Sequence, residues 1–319
     1  MLAVYADHID AHDPLAGLTV GDLPEPAERE GWTTVTVRAA SLNHHDLWSL
    51  RGVGLRAQQL PMILGTDASG VTDDGREVVV HGVIGADGHG VGPDESRTLL
   101  SEKYPGTFAE RVGVPTHNLV DKPSGLSFAD AACVPTAWLT AYRMLFRSAG
   151  LTPGQSVLVQ GAGGGVSTAA VALGAAAGLE VIVTSRTATK RAAALALGAS
   201  HALEPGARLP HRVDAVLETV GAATWSHSVR SVRPGGVIAV AGATSGDPSA
   251  AELTRIFFNE ITVRGVTMGT RDELESLLAF LAQSGVRPTI DSTFPIDQAH
   301  AAFARLASGE QVGKIVLTR

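Results

Sequence analysis

Val157-Leu158-Val159-Gln160-Gly161-Ala162-Gly163-Gly164-Gly165-Val166-Ser167 is the stretch that decides the fold of this 319-residue chain. A short β-branched run empties into a cluster of glycines, and the glycines into a helical pattern that continues to Ala177. Strand, tight turn and helix in that order cradle a dinucleotide pyrophosphate. Glycines let the backbone approach the phosphates, and the helix N-terminus offers N–H groups to the anion. A glycine pattern is weak evidence until its context is checked. Here a second β-branched run, Glu180 to Thr184, follows at the spacing of a βαβ unit. Gly161, Gly164, Gly165 and Val166 are therefore the expected phosphate-binding positions.

The end of that second run selects the cofactor. A carboxylate placed there, about 20 residues past the glycines, accepts from the ribose hydroxyls of NAD. This chain has Ser185-Arg186 instead, with Lys190 one helical turn on and no carboxylate between Thr184 and Lys190. A guanidinium matches phosphate oxygens with a fork of donors, and an ammonium adds a point charge. Ser185, Arg186 and Lys190 are read as a clamp on a 2′-phosphate, hence NADPH. The competing reading is solvated charge at a helix start, where cations oppose the helix dipole.

Working outward, strand and helix patterns alternate from about 123 to 266. A helix from Thr187 to Leu197 closes at Gly198, Val213 to Glu218 is a strand, Arg233-Pro234-Gly235-Gly236 a turn, and Val237 to Ala241 the next strand. This alternation predicts a doubly wound parallel sheet. Residues 1–122 are β-rich, with the half-buried alternation Thr33 to Arg38 and a strand from Glu77 to Val80. After 267, Thr270 is placed as the N-cap of a helix from Arg271 to Ser284 that stops at Gly285. A second helix opens at Asp297 and a last strand runs from Lys314 to Thr318. The predicted class is α/β.

Composition narrows the function classes. A formal charge of −7 and a pI near 5.9 supply no basic footprint for nucleic acid. No apolar run reaches the roughly 18 residues of a membrane span, and Asp7 and His8 interrupt what a signal peptide would need as an apolar core. The single cysteine, Cys133, excludes an internal disulfide and reads as small core filler, so the expectation is a cytoplasmic protein.

Further motifs carry a family resemblance over essentially the whole chain. They are Ala40-Ser41-Leu42-Asn43-His44-His45-Asp46, Arg51-Gly52, Pro61 to Asp67, Gly106-Thr107-Phe108-Ala109-Glu110, Thr140-Ala141-Tyr142 and Gly313-Lys314-Ile315-Val316. With the glycine loop, they resemble the medium-chain dehydrogenase/reductase superfamily, and within it the zinc-independent quinone oxidoreductase (zeta-crystallin-like) branch. The resemblance implies a GroES-like substrate domain built from residues 1–122 and 267–319. A Rossmann NADPH-binding domain, 123–266, is inserted between, with the active site in the cleft.

The departures from the zinc enzymes of that superfamily shape the expected chemistry. Those enzymes carry Cys where this chain has Asn43, Gly-His-Glu where it has Gly65-Thr66-Asp67, and a third ligand where it has Thr136. A catalytic zinc needs about three N, S or carboxylate ligands, so no metal is expected. His44 and His45, read as adjacent residues of a strand, would point to opposite faces. In the glycine loop, Ser167 replaces the final glycine of the quinone reductase pattern.

Hydride transfer to an electron-poor quinone or enone leaves a delocalised oxyanion and needs orientation, exclusion of water and a donor or two. The resemblance makes Asn43 and Thr136 the candidate donors, although a backbone or ribose contact is the equal alternative for both. Trp48 and Thr66 are placed in the substrate pocket, Trp48 either stacking on a flat acceptor or packing in the core. Thr140 is placed at the nicotinamide ring, with Gly242, Thr244 and Met268 at strand ends that hold it. Asp46 is expected to pair with Arg51. Tyr104 and His45 are unsupported as acids, and the product can take its proton from water. The Gly85 to Pro105 loop is expected at the cleft. The run Ile261 to Val266 reads as a sheet edge through which family members pair into homodimers.

Two alternatives stand beside the quinone or enone acceptor. One is an enoyl-thioester reductase of polyketide or fatty-acid metabolism, with Arg56, Arg97 and Lys103 lining a groove for the pantetheine arm. The other is a non-catalytic NADPH-binding protein.

Overall fold

The alternation at Thr33 to Arg38 becomes the middle of a ten-residue strand, Trp32–Ser41. The computed structural model describes residues 1–89, 96–248 and 250–319. They form two compact units, Met1–Ala137 with Thr270–Arg319, and Trp138–Gly269.

In the first unit, Trp32–Ser41 is flanked by Asp67–Thr72 on one side and Lys314–Thr318 on the other, both antiparallel. Val316 stands opposite Ser41 and Leu317 opposite Ala40, so the end of the chain closes a sheet begun near its start. Leu50, Leu64, Phe108 and Phe303 fill the core beneath. The unit also extends further than expected. The helix Phe128–Ala132 packs Ala132 and Cys133 against Ala39 and Val316, and Ser41 Oγ donates to Ala132 O at 3.0 Å. These contacts keep residues up to Ala137 with the first unit and move the boundary from 122. Cys133 is core filler, and burial pushes its thiol up to about 12.

The helix Arg271–Ser284 has the predicted ends. Thr270 Oγ1 accepts from Glu273 N at 3.2 Å, Glu273 Oε2 accepts from Thr270 N at 2.9 Å, and Gly285 closes it at φ 73°. Near 297 a 3₁₀ turn, Ile296–Gln298, precedes the helix Ala299–Ser308. His44 and His45 are not in a strand. They open the helix His44–Leu50, because the Asn43 backbone N–H donates to Asp46 Oδ2 at 2.7 Å and caps it. That use of Asp46 replaces the expected pairing with Arg51. The expected loop from Gly85 to Pro105 lies partly outside the described residues. Its flanks pair as antiparallel strands, Val83–His89 and Ser96–Leu99.

The second unit is built, among the described residues, on six parallel strands. Their order is His201–Leu203, Glu180–Thr184, Ser156–Gln160, Val213–Glu218, Val232–Val240, Thr262–Gly265. Ser156–Gln160 is buried at every position, as a strand covered on both faces requires. The helix Gly165–Ala176 lies close to the sheet, since a Cβ on Gly174 would stand 2.9 Å from Val181 Cγ2. Ser167 is accommodated by donating to Gly164 O at 3.0 Å. Among the described residues no helix is long and apolar enough to cross a membrane.

Candidate active site

In the second unit the expected cofactor residues gather at the C-terminal ends of parallel strands, the end where such sheets bind ligands. Gly161 follows Ser156–Gln160 at φ 87°, a left-handed turn that favours glycine. Gly164 begins the helix Gly165–Ala176 without any side-chain cap. The first N–H groups of a helix have no partner within it, so Gly165, Val166 and Ser167 present donors suited to phosphate. At Gly163 a Cβ would lie 2.6 Å from Lys190 Cδ, so the lysine stem crosses the glycine turn itself. This cradle fits a dinucleotide. Arg186 is exposed just past Thr184, while Arg191 Nη1 donates to Ser185 O at 2.7 Å and to Arg186 O at 3.2 Å, fixing the turn that carries both.

Gly242 and Thr244 follow Val232–Val240, and Thr244 Oγ1 donates to Thr219 O at 3.3 Å. Met268 is buried at φ 47°, an uncommon conformation for a side-chain-bearing residue. Thr140 is buried in the helix Leu139–Tyr142. Beneath these ends lies a buried polar network that the sequence did not flag. Glu218 accepts from Val220 N at 2.8 Å, Gly221 N at 3.0 Å, Thr224 Oγ1 at 2.8 Å and Ser228 Oγ at 2.6 Å. Gln160 joins Ser228 to Thr184.

In the first unit the structure brings Asn43, Thr66 and Thr136 together. A glycine must precede Thr66, because Gly65 has φ 95° and a Cβ there would stand 2.4 Å from the Phe108 ring. Thr66 Oγ1 and Thr136 Oγ1 are 2.9 Å apart. Asn43 Nδ2 donates to Asp67 Oδ2 at 2.9 Å and reaches Thr66 Oγ1 at 3.3 Å and Ser41 O at 3.4 Å. Its amide protons are thus turned inward, toward Asp67, Thr66 and the Ser41 backbone. Thr136, half-buried where Asn43 and Thr66 are buried, is the outermost of the three.

Behind them stands Lys314, 3% exposed. Its Nζ donates to Leu42 O at 2.7 Å, Asn43 Oδ1 at 2.6 Å and Asp67 Oδ2 at 3.3 Å. Ser41 Oγ donates to the same carboxylate oxygen at 2.9 Å. Sequence reasoning used Lys314 as a strand marker and missed this role. The signal for it in the sequence is a lysine directly before the apolar run Ile315-Val316-Leu317.

Trp48 is half-buried on the helix His44–Leu50. Beside it, His45 Nε2 stands 3.1 Å from Glu102 Oε1. Burial pushes the imidazole down, but the Glu102 bond and the charges of Asp46, Glu102 and Asp67 outweigh it, and its pKa is raised. Burial lifts Asp46 to about 6. Tyr104 is core, its ring centroid 5.0 Å from that of Trp32. Among the described residues no three His, Cys, Asp or Glu side chains gather to hold a metal ion.

A Rossmann unit joined to a β-rich unit closed by both chain ends defines a nicotinamide-nucleotide oxidoreductase of two-domain type. The comparisons agree. An alcohol dehydrogenase GroES-like domain model matches residues 29–124, and a zinc-binding dehydrogenase model matches 165–283. A zinc-type alcohol dehydrogenase-like protein of Schizosaccharomyces pombe is 30% identical, over 96% of this chain and 97% of its own. An acryloyl-coenzyme A reductase of Metallosphaera sedula is 28% identical, over 95% and 96%. A solved NAD-dependent alcohol dehydrogenase superposes with a TM-score of 0.90 at 31% identity, covering 100% of both chains. The chain belongs to the medium-chain dehydrogenase/reductase superfamily.

Proposed function

We propose that this chain reduces a quinone or an α,β-unsaturated carbonyl with NADPH and without zinc. The observation that carries the reading is the ammonium of Lys314, 3.3 Å from Asp67 Oδ2. Asp67 is the carboxylate that accepts from the Asn43 side chain, and with Asn43, Thr66 and Thr136 it stands at positions where the zinc enzymes of the superfamily keep their ligands. An amide, two hydroxyls and a carboxylate already paired with a cation do not fit a catalytic zinc, which takes about three N, S or carboxylate ligands. When bound, NADPH supplies a hydride and becomes NADP⁺, and the acceptor becomes an oxyanion protonated from water. Thr136 donates a hydrogen bond to that oxyanion, Trp48 borders the acceptor, and Thr66, 1% exposed, lies behind Thr136. The glycine loop holds the pyrophosphate, and Ser185, Arg186 and Lys190 hold the 2′-phosphate. Thr140, Gly242, Thr244 and Met268 would hold the nicotinamide.

A second reading is favoured by the likeness to an acryloyl-coenzyme A reductase: an enoyl thioester as the acceptor. Arg56 and Arg97 are exposed, while Lys103 Nζ stands 5.4 Å from the Tyr104 ring centroid. NADPH oxidation after exhaustive chelation tests both readings, with an ortho-quinone, an enone and crotonyl-coenzyme A as acceptors. Turnover of the first two supports the main reading, and turnover of the thioester alone supports the second. Tight NADPH binding with no turnover points to a non-catalytic binder.

The same proposal includes a homodimer. The edge strand Thr262–Gly265 is exposed throughout. Leu253, Phe257 and Phe258 are 68%, 62% and 76% exposed in the same unit, and the two Phe rings pack against each other, which adds apolar surface open to a second copy.

A further inference from the structure

The hydrogen bonds around Asn43 have a direction. An ammonium only donates, so the Asn43 side chain must turn its oxygen toward Lys314 Nζ, 2.6 Å away. An ionised carboxylate only accepts, so the Asn43 nitrogen must face Asp67 Oδ2, 2.9 Å away. Flipping the amide would set a carbonyl against a carboxylate and an NH₂ against an ammonium. One amide proton goes to Asp67, and the second is shared between Thr66 Oγ1 at 3.3 Å and Ser41 O at 3.4 Å. The Thr66 hydroxyl accepts there, which frees its own proton for Thr136 Oγ1, 2.9 Å away, and that is the direction assigned to this bond. Thr136 then accepts from Thr66, and its own proton is left to point away from the chain of bonds.

We propose that Lys314 and Asn43 polarise this relay, Lys314 to Asn43 to Thr66 to Thr136, so that the Thr136 hydroxyl is set as a donor to an acceptor oxyanion. The inference deepens the function proposed above and rests on it. No proton changes owner. Each bond polarises the next, which strengthens the last donor. Thr136 is the catalytic residue, and Lys314, Asn43 and Thr66 are positioning residues, since Thr66 is 1% exposed and acts through Thr136.

Asn43→Asp tests the direction. Beside Asp67 the new carboxyl group holds a proton, which it gives to Asp67 Oδ2, and its remaining lone pairs accept from Lys314 and Thr66, so Thr66 turns its proton back and Thr136 turns toward Thr66. The outward donor is lost although Thr136 is intact. Thr136→Val is expected to lower kcat about 100-fold, the lower end of the range for removing an oxyanion donor, with the KM for NADPH unchanged. Thr136→Ser restores most of it. Asn43→Asp lowers kcat comparably, and adding it to Thr136→Val lowers kcat no further. Thr66→Val, which adds no charge and covers the case of a misfolded Asn43→Asp, costs about threefold alone and nothing in the Thr136→Val background.

A second readout needs no turnover: absorbance titration of 4-nitrophenolate, an inert oxyanion, with the cofactor-free protein. Wild type and Thr136→Ser are expected to bind it, with Thr136→Val and Asn43→Asp at least about tenfold weaker. No phenolate binding by wild type, undiminished binding by Thr136→Val, or losses that multiply in the double variant would each overturn the relay. Wild type that binds phenolate in this pattern yet reduces no quinone or enone would sink the function proposed above and leave the relay standing.

Discussion

Lys314 Nζ stands 2.6 Å from Asn43 Oδ1 across 271 residues of sequence. The contact exists because the last strand, Lys314–Thr318, lies against Trp32–Ser41 in antiparallel register. It places a cation where Asp67 would otherwise be a buried, unpaired charge. Breaking one side of a buried pair typically costs about 3–5 kcal/mol. Lys314→Met is therefore expected to lose about that much stability, measured by urea denaturation, and Lys314→Met/Asp67→Leu to recover part of it.

Stability should fall as pH rises from about 4 to about 7. Burial lifts Asp46 from 3.8 to about 6, so in that window the folded chain holds a proton that the unfolded chain releases. At about 1.4 kcal/mol per pK unit the effect is bounded near 3 kcal/mol. The raised His45 acts in the same direction at higher pH. Asp46→Asn still offers an oxygen to the Asn43 N–H and is expected to flatten the profile between pH 4 and 6. A profile as steep as wild type would remove Asp46 as its cause.

Cofactor choice is tested by Arg186→Ala/Lys190→Ala. Charge-assisted hydrogen bonds are worth about 1.5–3 kcal/mol, so the KM for NADPH should rise about 10- to 100-fold while that for NADH stays level. Equal changes for both cofactors would show that the side chains serve the pyrophosphate instead, a role the position of Lys190 over Gly163 also fits.

Glu218 holds two backbone N–H groups and two hydroxyls with no exposure to water. Glu218→Ala leaves those donors buried and unmet, and is expected to cost about 3 kcal/mol or more in thermal or urea unfolding. Glu218→Gln, which keeps one carbonyl oxygen, should cost less.

Phe258→Asp places a charge at a residue 76% exposed beside Phe257. If the edge pairs two copies, sedimentation should shift from dimer to monomer with the unfolding midpoint of the isolated unit unchanged. A wild type that sediments as a monomer would refute the pairing.

Much of the second unit is legible in the sequence, because its signals are local. Val213–Glu218 falls on the predicted residues, and Thr270 and Gly285 bound their helix as expected, since caps and β-branched runs act over a few residues. The helix at His44 was misread as a strand. Its cue is a capping interaction between Asn43 and Asp46, and the alternating strand just before it invited continuation. No local signal near 122 says to which unit the helix Phe128–Ala132 belongs. Only its packing on Ala39 and Val316 assigns it.

The sequence by itself determined the class of protein: a strand, a glycine turn and a helix followed by Ser185-Arg186 specify a dinucleotide fold through contacts a few residues long. The tertiary structure alone decided the polar cluster of the first unit. Lys314, Asp67, Asn43 and Thr136 come from four distant parts of the chain, and nothing in the residues near any of them encodes the others. Which way the Asn43 amide faces follows from a donor-only and an acceptor-only group set on opposite sides of it, a relation that exists only once the last strand has closed the sheet.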